Sequence, residues 1–311
     1  MFEYFEAIEI FEFSFTSARV RNVELPLMKL RAIEHNIRFD GIPIIETIIR
    51  KDSILGDEGM EIHLCNLPMK NDPDENNERL IHCHHFKIRS KFSQYQLCHH
   101  NSEFAVSVVF DQLFRIFPGP INMSLNLGIM RNVSAVLLNP HFETCEKLEV
   151  YDDDEYDAEE SELEQVLDSV SVNKAMEVYI SLPSGLEMNG LDHLTSLILG
   201  DANWMTIKDL CSMKCENIRL MQHTFDINDF QEYVIWWLNS NNTTLKTLEM
   251  TWNDSESDSQ LDTNRLPWKL WNPKQRGRYY YFPNKPYEIS NVNCAEGVDI
   301  THVSCLARSV S

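Results

Sequence analysis

Glycine is scarce in this sequence, and the motifs that depend on it are missing. Only ten glycines occur among 311 residues, and they form neither a P-loop nor a G-x-G-x-x-G fingerprint. The G-x-S-x-G, H-E-x-x-H and protein-kinase motifs are also absent from the sequence. Nothing therefore suggests a nucleotide site or a hydrolytic site. We expect no catalytic residues, no cofactor and no chemistry performed by this chain.

Positively charged residues are also scarce. Lysine and arginine total 27 against 48 aspartates and glutamates, which gives a formal net charge of −21. Such a chain is a poor partner for nucleic-acid phosphates or an anionic membrane surface. No apolar run reaches 18 residues, so we expect no membrane-spanning helix. The apolar N-terminal residues carry four glutamates and no basic region, unlike a signal peptide.

The eight cysteines are scattered along the chain rather than grouped. They lie at positions 65, 83, 98, 145, 211, 215, 294 and 305. Because no secretory signal is seen, we expect a reducing compartment in which thiols stay free and buried. The sequence thus predicts a cytoplasmic and/or nuclear protein.

Hydrophobic periodicity separates the first part of the chain into distinct regions. Phe5, Ile8, Phe11 and Phe15 recur at helical spacing, which predicts one or two short helices within residues 1–24. Residues 37–92 alternate in strand fashion and predict three or four strands in a small antiparallel sheet. Residues 103–118 suit a buried helix that ends at a Pro-Gly-Pro sequence, although their valines leave a strand as an alternative.

Strand-like apolar pairs recur through the rest of the chain. The second members of successive pairs are 23, 30, 19, 21 and 30 residues apart, which is close to the leucine-rich-repeat period but irregular. Helical segments between them are clearest at 161–170 and 227–238. Such units stack to cover their apolar faces, so the pattern predicts an α/β fold: an irregular leucine-rich-repeat-like solenoid with a parallel sheet. The pairs are Leu125/Leu127, Leu148/Val150, Val178/Ile180, Leu197/Leu199, Ile218/Leu220 and Leu248/Met250.

Residues 204–250 carry a more specific pattern. Trp204-Met205-Thr206 precedes a helix, Cys215 precedes an apolar strand, and Ile227-Asn228-Asp229-Phe230 opens a longer helix. Trp237, then Asn239-Ser240-Asn241, then Leu245 with Leu248 complete the order. This pattern closely resembles the core of the nematode F-box-associated domain type 2. The resemblance implies a protein-binding domain over 35–311, with its core at 197–250.

The N-terminal residues resemble the second half of an F-box. Residues 6–11 (EAIEIF) and 13–17 (FSFTS) stand in the places of that family's pattern, and the first half of the motif is not written in the chain. The resemblance implies a short helical F-box remnant at 1–25 that binds a Skp-family adaptor and a cullin complex. Packing of the same side chains onto the solenoid is the alternative. The residues concerned are Phe5, Ile8, Ile10, Phe11, Phe13 and Phe15.

Together these resemblances imply a substrate-recognition subunit of an SCF-type E3 ubiquitin ligase that recruits an unknown target protein. A decayed paralogue that binds targets without engaging the ligase is an alternative. Solenoids bind partners on strand positions that face solvent, between neighbours that point inward. The mixture of acids and tyrosines at these positions suits a basic protein or peptide, helped by the acidic run 152–164. The predicted target-binding residues are Glu149, Tyr151, Tyr179, Arg219 and Glu249.

A rival hypothesis rests on histidines and cysteines. His82-Cys83-His84-His85 and Cys98-His99-His100 supply enough imidazole and thiol groups for a tetrahedral zinc site. Their spacing matches no known zinc finger, so we favour a histidine-rich strand edge and predict no metal site. A zinc-binding domain is the alternative function that this cluster keeps open.

Overall fold

The structure is a computed structural model of the chain. It describes residues 10–11, 14, 32–40, 43–49, 58–66, 78–81, 84–91, 94–99, 102–130, 133–152, 160–180, 193–240, 242 and 244–251, and the short segments 269–270, 280–281, 288–290 and 302–306. The chain divides into two compact units, residues 1–172 and residues 173–311. We call them unit 1 and unit 2 and describe each by itself.

Unit 1 is a mixed α/β unit built on strands β1 to β8. Besides the two helical residues Ile10 and Phe11, its α-helices with described bounds are α1 (Ser102–Ile116), α2 (Val133–Leu137) and α3 (Glu160–Ser169). A 3-10 turn covers Pro140–Phe142. The strands are β1 (Ala32–Phe39), β2 (Ile44–Ile49), β3 (Glu58–Asn66), β4 (Glu78–Ile81), β5 (His84–Lys91), β6 (Gln94–His99), β7 (Ile121–Asn126) and β8 (Thr144–Tyr151).

The strands of unit 1 follow the order β8-β7-β1-β2-β3-β6-β5-β4. Strands β8, β7 and β1 are parallel, whereas β1, β2 and β3 form an antiparallel meander. Strand β6 pairs parallel with β3 and antiparallel with β5. The predicted small antiparallel sheet is therefore present, but it is larger and has one parallel pair that hydrophobic alternation alone did not reveal.

Alternation in β1 sets the two faces of this sheet. Ile37 and Phe39 are buried, while their neighbours Asn36 and Arg38 are half-buried and exposed, respectively. The buried face also carries His35, whose ring lies 5.2 Å from that of Phe110 in α1. Helix α1 thus covers the apolar face, as expected for a layered α/β unit. The helix predicted over 103–118 is confirmed, and its valines do not form a strand.

His35 is a buried polar group whose two ring nitrogens are both satisfied. Its Nε2 lies 2.7 Å from the Phe117 carbonyl oxygen, and its Nδ1 lies 2.9 Å from Thr47 Oγ1. A carbonyl only accepts, so Nε2 carries the proton and the Thr47 hydroxyl donates to Nδ1. Burial lowers the pKa of His35 to about 4, against the opposing effect of the Phe117 hydrogen bond. His35 is therefore neutral at physiological pH and ties β1 to β2 and to the residue after α1.

Unit 2 alternates strands and helices. Strand β9 (Ser171–Val178) begins at the unit boundary and is followed by β10 (Ser196–Asp201), α4 (Ile207–Ser212), β11 (Asn217–Gln222), α5 (Ile227–Asn239) and β12 (Thr247–Thr251). Strands β9 to β12 are parallel and in sequential order. Four short strands pair antiparallel beyond β12 in the order β16-β15-β14-β13. They are β13 (Lys269–Leu270), β14 (Tyr280–Tyr281), β15 (Glu288–Ser290) and β16 (His302–Leu306).

The parallel strands of unit 2 start with the same backbone hydrogen bonds. The Thr195 carbonyl accepts from the N–H groups of Glu216 and Asn217, at 3.1 and 2.9 Å. One repeat later, the Glu216 carbonyl accepts from Lys246 and Thr247, at 2.6 and 3.0 Å. Equivalent apolar side chains then stack in register, and all are buried. They are Met176, Leu197, Ile218 and Leu248 in one layer and Val178, Leu199, Leu220 and Met250 in the next.

Helices α4 and α5 of unit 2 each begin with a capping box. The side chain of Thr206 accepts from the N–H of Asp209, whose carboxylate accepts from the N–H of Thr206. Asp226 and Asp229 make the same reciprocal pair at the start of α5. These bonds satisfy backbone donors that a helix N-terminus leaves free. The helix predicted after Thr206 and the one predicted over 227–238 are confirmed.

The apolar pairs predicted one strand of unit 2 two residues too late along the chain. The prediction paired Val178 with Ile180, whereas the structure aligns Met176 with Leu197 and Val178 with Leu199. Ile180 is also buried, so the apolar alternation runs past the last hydrogen-bonded residue. Helix α3, at 160–169, agrees with the predicted 161–170 and includes the end of the acidic run 152–164. No helix in the described part of the chain is long and apolar enough to cross a membrane.

Candidate protein-binding faces

The outward face of unit 2 carries a row of side chains at matched positions on four neighbouring strands. Glu177, Ile198, Arg219 and Glu249 are partners in the strand register. Arg219 Nε lies 3.2 Å from Glu249 Oε1, with 45% and 22% of the two side chains exposed. The predicted residues Arg219 and Glu249 are therefore adjacent and form an ion pair. Ile198 lies beside them and adds apolar area to a charged row.

Tyr179 lies on the same face, directly after β9, and is 40% exposed. Its hydroxyl donates to Glu177 Oε2 at 3.2 Å. Its backbone passes very close to Gly200 of β10: a Cβ added to that glycine would lie 2.7 Å from the Tyr179 Cα. Only a residue without a side chain permits this approach. Gly200 thus allows an exposed tyrosine to sit beside the charged row.

Glu149 and Tyr151 lie on the outward face of β8 in unit 1. Glu149 is in register with Ser124 of β7, and Tyr151 is in register with Asn126. Burial raises the pKa of Tyr151, the hydrogen bond to Ser124 opposes this, and the charge of Asp40 adds to the increase. The Asn126 amide in turn donates to Asp40 Oδ1 at 3.2 Å. These predicted residues belong to a polar group at the carboxyl ends of β1, β7 and β8.

A second polar group on the sheet of unit 1 was not predicted. Asn36 Nδ2 donates to Glu46 Oε2 at 3.1 Å, and Asn122 Nδ2 donates to Asn36 Oδ1 at 2.9 Å and to Glu34 Oε2 at 3.1 Å. Two asparagine amides therefore hold two carboxylates on one face of β1, β2 and β7. The alternation of polar residues in β1 was a signal for this face, but the pairing with Asn122 spans 86 residues.

The structure divides the predicted target-binding residues between the two units. Glu149 and Tyr151 belong to unit 1, while Tyr179, Arg219 and Glu249 belong to unit 2. Within the acidic run, Asp152 and residues 160–164 are described, and residues 153–159 lie outside the described part.

Two of the predicted adaptor-binding residues can be placed. Ile10 and Phe11 are helical and buried. Next to them, Ser14 accepts a hydrogen bond from the Gln112 amide of α1 at 2.8 Å. Ser14 thus contacts α1, and the adaptor-binding role of Ile10 and Phe11 stays a prediction. Phe5, Ile8, Phe13 and Phe15 lie outside the described residues.

The histidine and cysteine cluster is only partly placed. His84 and His85 begin β5, and Cys98 and His99 end β6, where Cys98 is opposite Lys87. His82, Cys83 and His100 lie outside the described residues. No group of three or more histidine, cysteine, aspartate or glutamate side chains that could hold a metal occurs in the part of the chain that the structure describes.

Three thiols are placed, and their environments differ. Cys145 in β8 and Cys215 before β11 are buried, whereas Cys211 in α4 is half-buried. Burial raises the pKa of Cys145 to about 12, with an added contribution from the charge of Glu146. Burial also raises the pKa of Cys211. Neither Cys145 nor Cys211 therefore has the lowered pKa of a reactive nucleophile.

One part of the chain matches a known protein family. Residues 188–250 match the family FBA_2, described as F-box associated. The match includes β10, β11 and β12, both capping boxes and the Arg219–Glu249 pair. The sequence resemblance at 197–250 is thus confirmed for this part, and the F-box remnant at 1–25 stays a prediction.

Two curated relatives come from Caenorhabditis elegans. Uncharacterized protein F59B2.9 is 24% identical over 204 residues, which cover 65% of this chain and 47% of the relative. Uncharacterized protein F59B2.8 is 22% identical over 210 residues, which cover 68% of this chain and 47% of the relative. The matched region thus spans about half the length of these relatives. No solved structure matches the chain significantly.

Proposed function

We propose that this chain is the target-recognition part of an F-box-type protein, acting in an SCF-type E3 ubiquitin ligase with no chemistry of its own. The match of residues 188–250 to an F-box-associated family carries the proposal. The outward row of Glu177, Ile198, Arg219 and Glu249 supports it, because a charged row with an apolar residue suits protein recognition. We place the protein in the cytoplasm and/or nucleus, where cullin complexes act.

We further propose that unit 2 is an irregular leucine-rich-repeat-like solenoid. The repeated hydrogen bonds that join Lys174, Thr195, Glu216 and Lys246 support this, because these residues are 21, 21 and 30 residues apart and occupy equivalent positions on neighbouring strands. Neighbouring repeats cover one another's apolar layers, as in stacked solenoids. The strand-lined face then carries the target-binding residues Tyr179, Arg219 and Glu249.

The proposed mechanism is proximity. A Skp-family adaptor and a cullin would hold this chain, and this chain would hold the target near the ubiquitin thioester. Such tethering raises the effective concentration of a target lysine without a catalytic group on this chain. The burial of Ile10 and Phe11 implies that an adaptor uses other residues of 1–25 or displaces these two from their buried positions.

Two measurements test the proposal. Co-expression with a Skp-family adaptor and size-exclusion chromatography should give a stoichiometric complex; if the two proteins elute separately, the ligase part of the proposal fails. Proximity labelling then compares the native chain with the double variant Arg219→Glu, Glu249→Arg. This exchange preserves the ion pair within unit 2 but reverses its charges toward a partner. We expect it to lose target proteins and keep the adaptor; identical partners from both chains would place the target elsewhere.

A further inference from the structure

Leu138 is the most exposed large apolar side chain among the described residues. It directly follows α2 in unit 1 and is 82% exposed. A single exposed leucine is common on protein surfaces and indicates nothing by itself. Leu138 differs because its backbone is held in place and because neighbouring groups extend its apolar area.

Asn139 fixes the turn that carries Leu138. Its Nδ2 donates to the Ser107 carbonyl at 3.3 Å and to Asp111 Oδ1 at 3.2 Å, so the turn is attached to α1. Its Oδ1 accepts from the N–H of His141 at 2.9 Å, and the residue itself is only 4% exposed. The leucine is thus presented on a turn that is already ordered, and binding through it costs little conformational entropy.

The same turn and α1 add apolar area beside Leu138. Pro140 is exposed. The ring of His141 lies against the ring of Phe114 in α1, with their centroids 4.4 Å apart, and both residues are half-buried. We call Leu138, Pro140 and this ring pair the Leu138 surface.

Asp111 supplies a negative charge of fixed orientation at the Leu138 surface. Its contacts with Asn139 Nδ2, at 3.2 Å, and with His141 Nε2, at 3.6 Å, both use Oδ1. No described residue donates to Oδ2, and 39% of the side chain is exposed. Arg115, one turn further along α1, is exposed and is not among the partners of Asp111. Asp111 Oδ2 can therefore accept from a donor outside the chain.

The elements around the Leu138 surface are acidic. Ser134 of α2, one turn before Leu138, donates to Gln165 Oε1 of α3 at 3.0 Å, so α3 lies beside α2. Among the described side chains of α1, α2, α3 and the turn, carboxylates outnumber guanidinium groups by five to one. Such a rim attracts a basic partner and repels an acidic one. The five carboxylates are Asp111, Glu143, Glu162, Glu164 and Asp168, and the guanidinium is that of Arg115.

We propose that the Leu138 surface docks a basic amphipathic helix of a partner protein. The apolar face of this helix covers Leu138 and the Phe114–His141 ring pair, and a lysine or arginine at its edge pairs with Asp111 Oδ2. A helix fits because the surface is made of helices and a turn, whereas an extended segment binds at an unpaired strand edge. The surface includes none of the proposed target-binding residues, so this interaction goes beyond the proposed function.

The test uses the full chain and a fluorescently labelled synthetic peptide as the probe. The peptide is a designed amphipathic helix with leucines on one face and lysines on the other, and fluorescence anisotropy measures its binding. Leu138→Ser should weaken binding about ten-fold or more, because the burial of a leucine side chain is lost. Met221→Ser is the matched control, because Met221 is also an exposed apolar residue but lies on the sheet of unit 2. This control should bind like the native chain.

A second pair of variants tests the charge. Asp111→Asn keeps an acceptor for Asn139 but removes the charge, so it should weaken binding about three-fold and reduce the effect of salt. Glu232→Gln removes an exposed carboxylate from α5 and should leave binding unchanged. A peptide with glutamates in place of the lysines should not bind.

Three results would overturn the proposal. Equal weakening by Leu138→Ser and Met221→Ser would show unspecific apolar contact. Equal binding of the lysine and glutamate peptides would show that charge does not select the partner. A clear loss of thermal stability in Leu138→Ser would show that the leucine packs within unit 1, whereas we expect an unchanged Tm. The proposed function stands or falls separately, because its test changes Arg219 and Glu249 in unit 2.

Discussion

Unit 1 buries polar side chains to an extent that unit 2 does not. Among the described residues, the buried polar side chains of unit 1 are Ser14, His35, Thr47, Gln112, Asn126 and Asn139, while unit 2 buries Gln231 alone. In unit 1 these groups join separate elements: Asn139, for example, donates to Asp111 of α1 at 3.2 Å. Unit 2 relies instead on stacked apolar layers and capped helices. Buried side-chain hydrogen bonds thus hold the irregular sheet of unit 1 together, whereas unit 2 is held by apolar layers that repeat from strand to strand.

The largest expected effect comes from removing one residue of the apolar layers in unit 2. Leu220 is fully buried in β11, between Leu199 and Met250. Leu220→Ala should lower the free energy of unfolding by about 2–5 kcal/mol, because it deletes buried methyl groups and leaves a cavity. Urea denaturation of both chains measures the loss. Met221→Ala, on the outward side of the same strand, is the control, and an equal loss there would contradict the assigned faces.

The corresponding experiment in unit 1 depends on pH. The unfolded His35 has the ordinary pKa of 6.5, and the folded one a pKa of about 4. Between these values the unfolded chain binds more protons, so stability is lost as pH falls from 6.5 through 4, by about 3 kcal/mol. His35→Gln should remove this part of the pH dependence, as measured by urea unfolding at several pH values. His193→Gln in unit 2 is the control; parallel profiles for His35→Gln and the native chain would contradict the prediction.

A smaller effect is expected at the helix caps of unit 2. Asp226 accepts from the N–H groups of Asn228 and Asp229, and these backbone bonds lower its pKa. Asp226→Ala should cost about 1 kcal/mol, the usual value for an N-cap. The native advantage should vanish as pH falls below the ordinary carboxyl range, because a protonated cap is a weaker acceptor. Glu232→Ala removes an exposed carboxylate from the middle of α5 and should cost less when both variants are compared by thermal unfolding.

The smallest effect should come from the Arg219–Glu249 ion pair. Both side chains are partly exposed, and pairs of this kind contribute less than about 1 kcal/mol. A double-mutant cycle with Arg219→Ala and Glu249→Ala, measured by urea unfolding, should give a coupling energy in that range. A much larger coupling would mean that this face stabilises unit 2 and would weaken its proposed role in target binding.

The capped helices and the parallel strands of unit 2 could be predicted because their sequence signals are local or repeated. Thr206 and Asp226 each precede an aspartate by three residues, which is the spacing of a capping box, and the helices after them were found. The strand positions around Leu197, Ile218 and Leu248 followed from apolar pairs. Strand β9 was misplaced because Ile180 extends the apolar alternation beyond the hydrogen-bonded residues. The alternation of apolar residues indicates which side chains are buried, but it does not show where the backbone hydrogen bonds of a strand end.

The polar groups of unit 1 could not be found in the same way. Asp40 and Asn126 lie 86 residues apart and meet only because β1 and β7 are neighbours in the sheet. In the sequence each follows an apolar residue at a strand end, where polar residues commonly mark a turn. The strand order β8-β7-β1-β2 was needed to bring them together, and no local pattern specifies that order. Glu149 and Tyr151 were predicted because alternation within one strand is enough to place them outward.

Because Cys145 is buried, the rate of its chemical labelling can report how often unit 1 opens locally. A thiol with a pKa of about 12 is ionised in roughly one molecule in a hundred thousand at pH 7, and only the thiolate reacts with alkylating reagents. Its modification therefore waits for β8 to separate from its neighbours. Cys211 is half-buried and should react earlier. The labelling rate of Cys145 thus measures how often β8, the strand that carries Glu149 and Tyr151, separates from its neighbours.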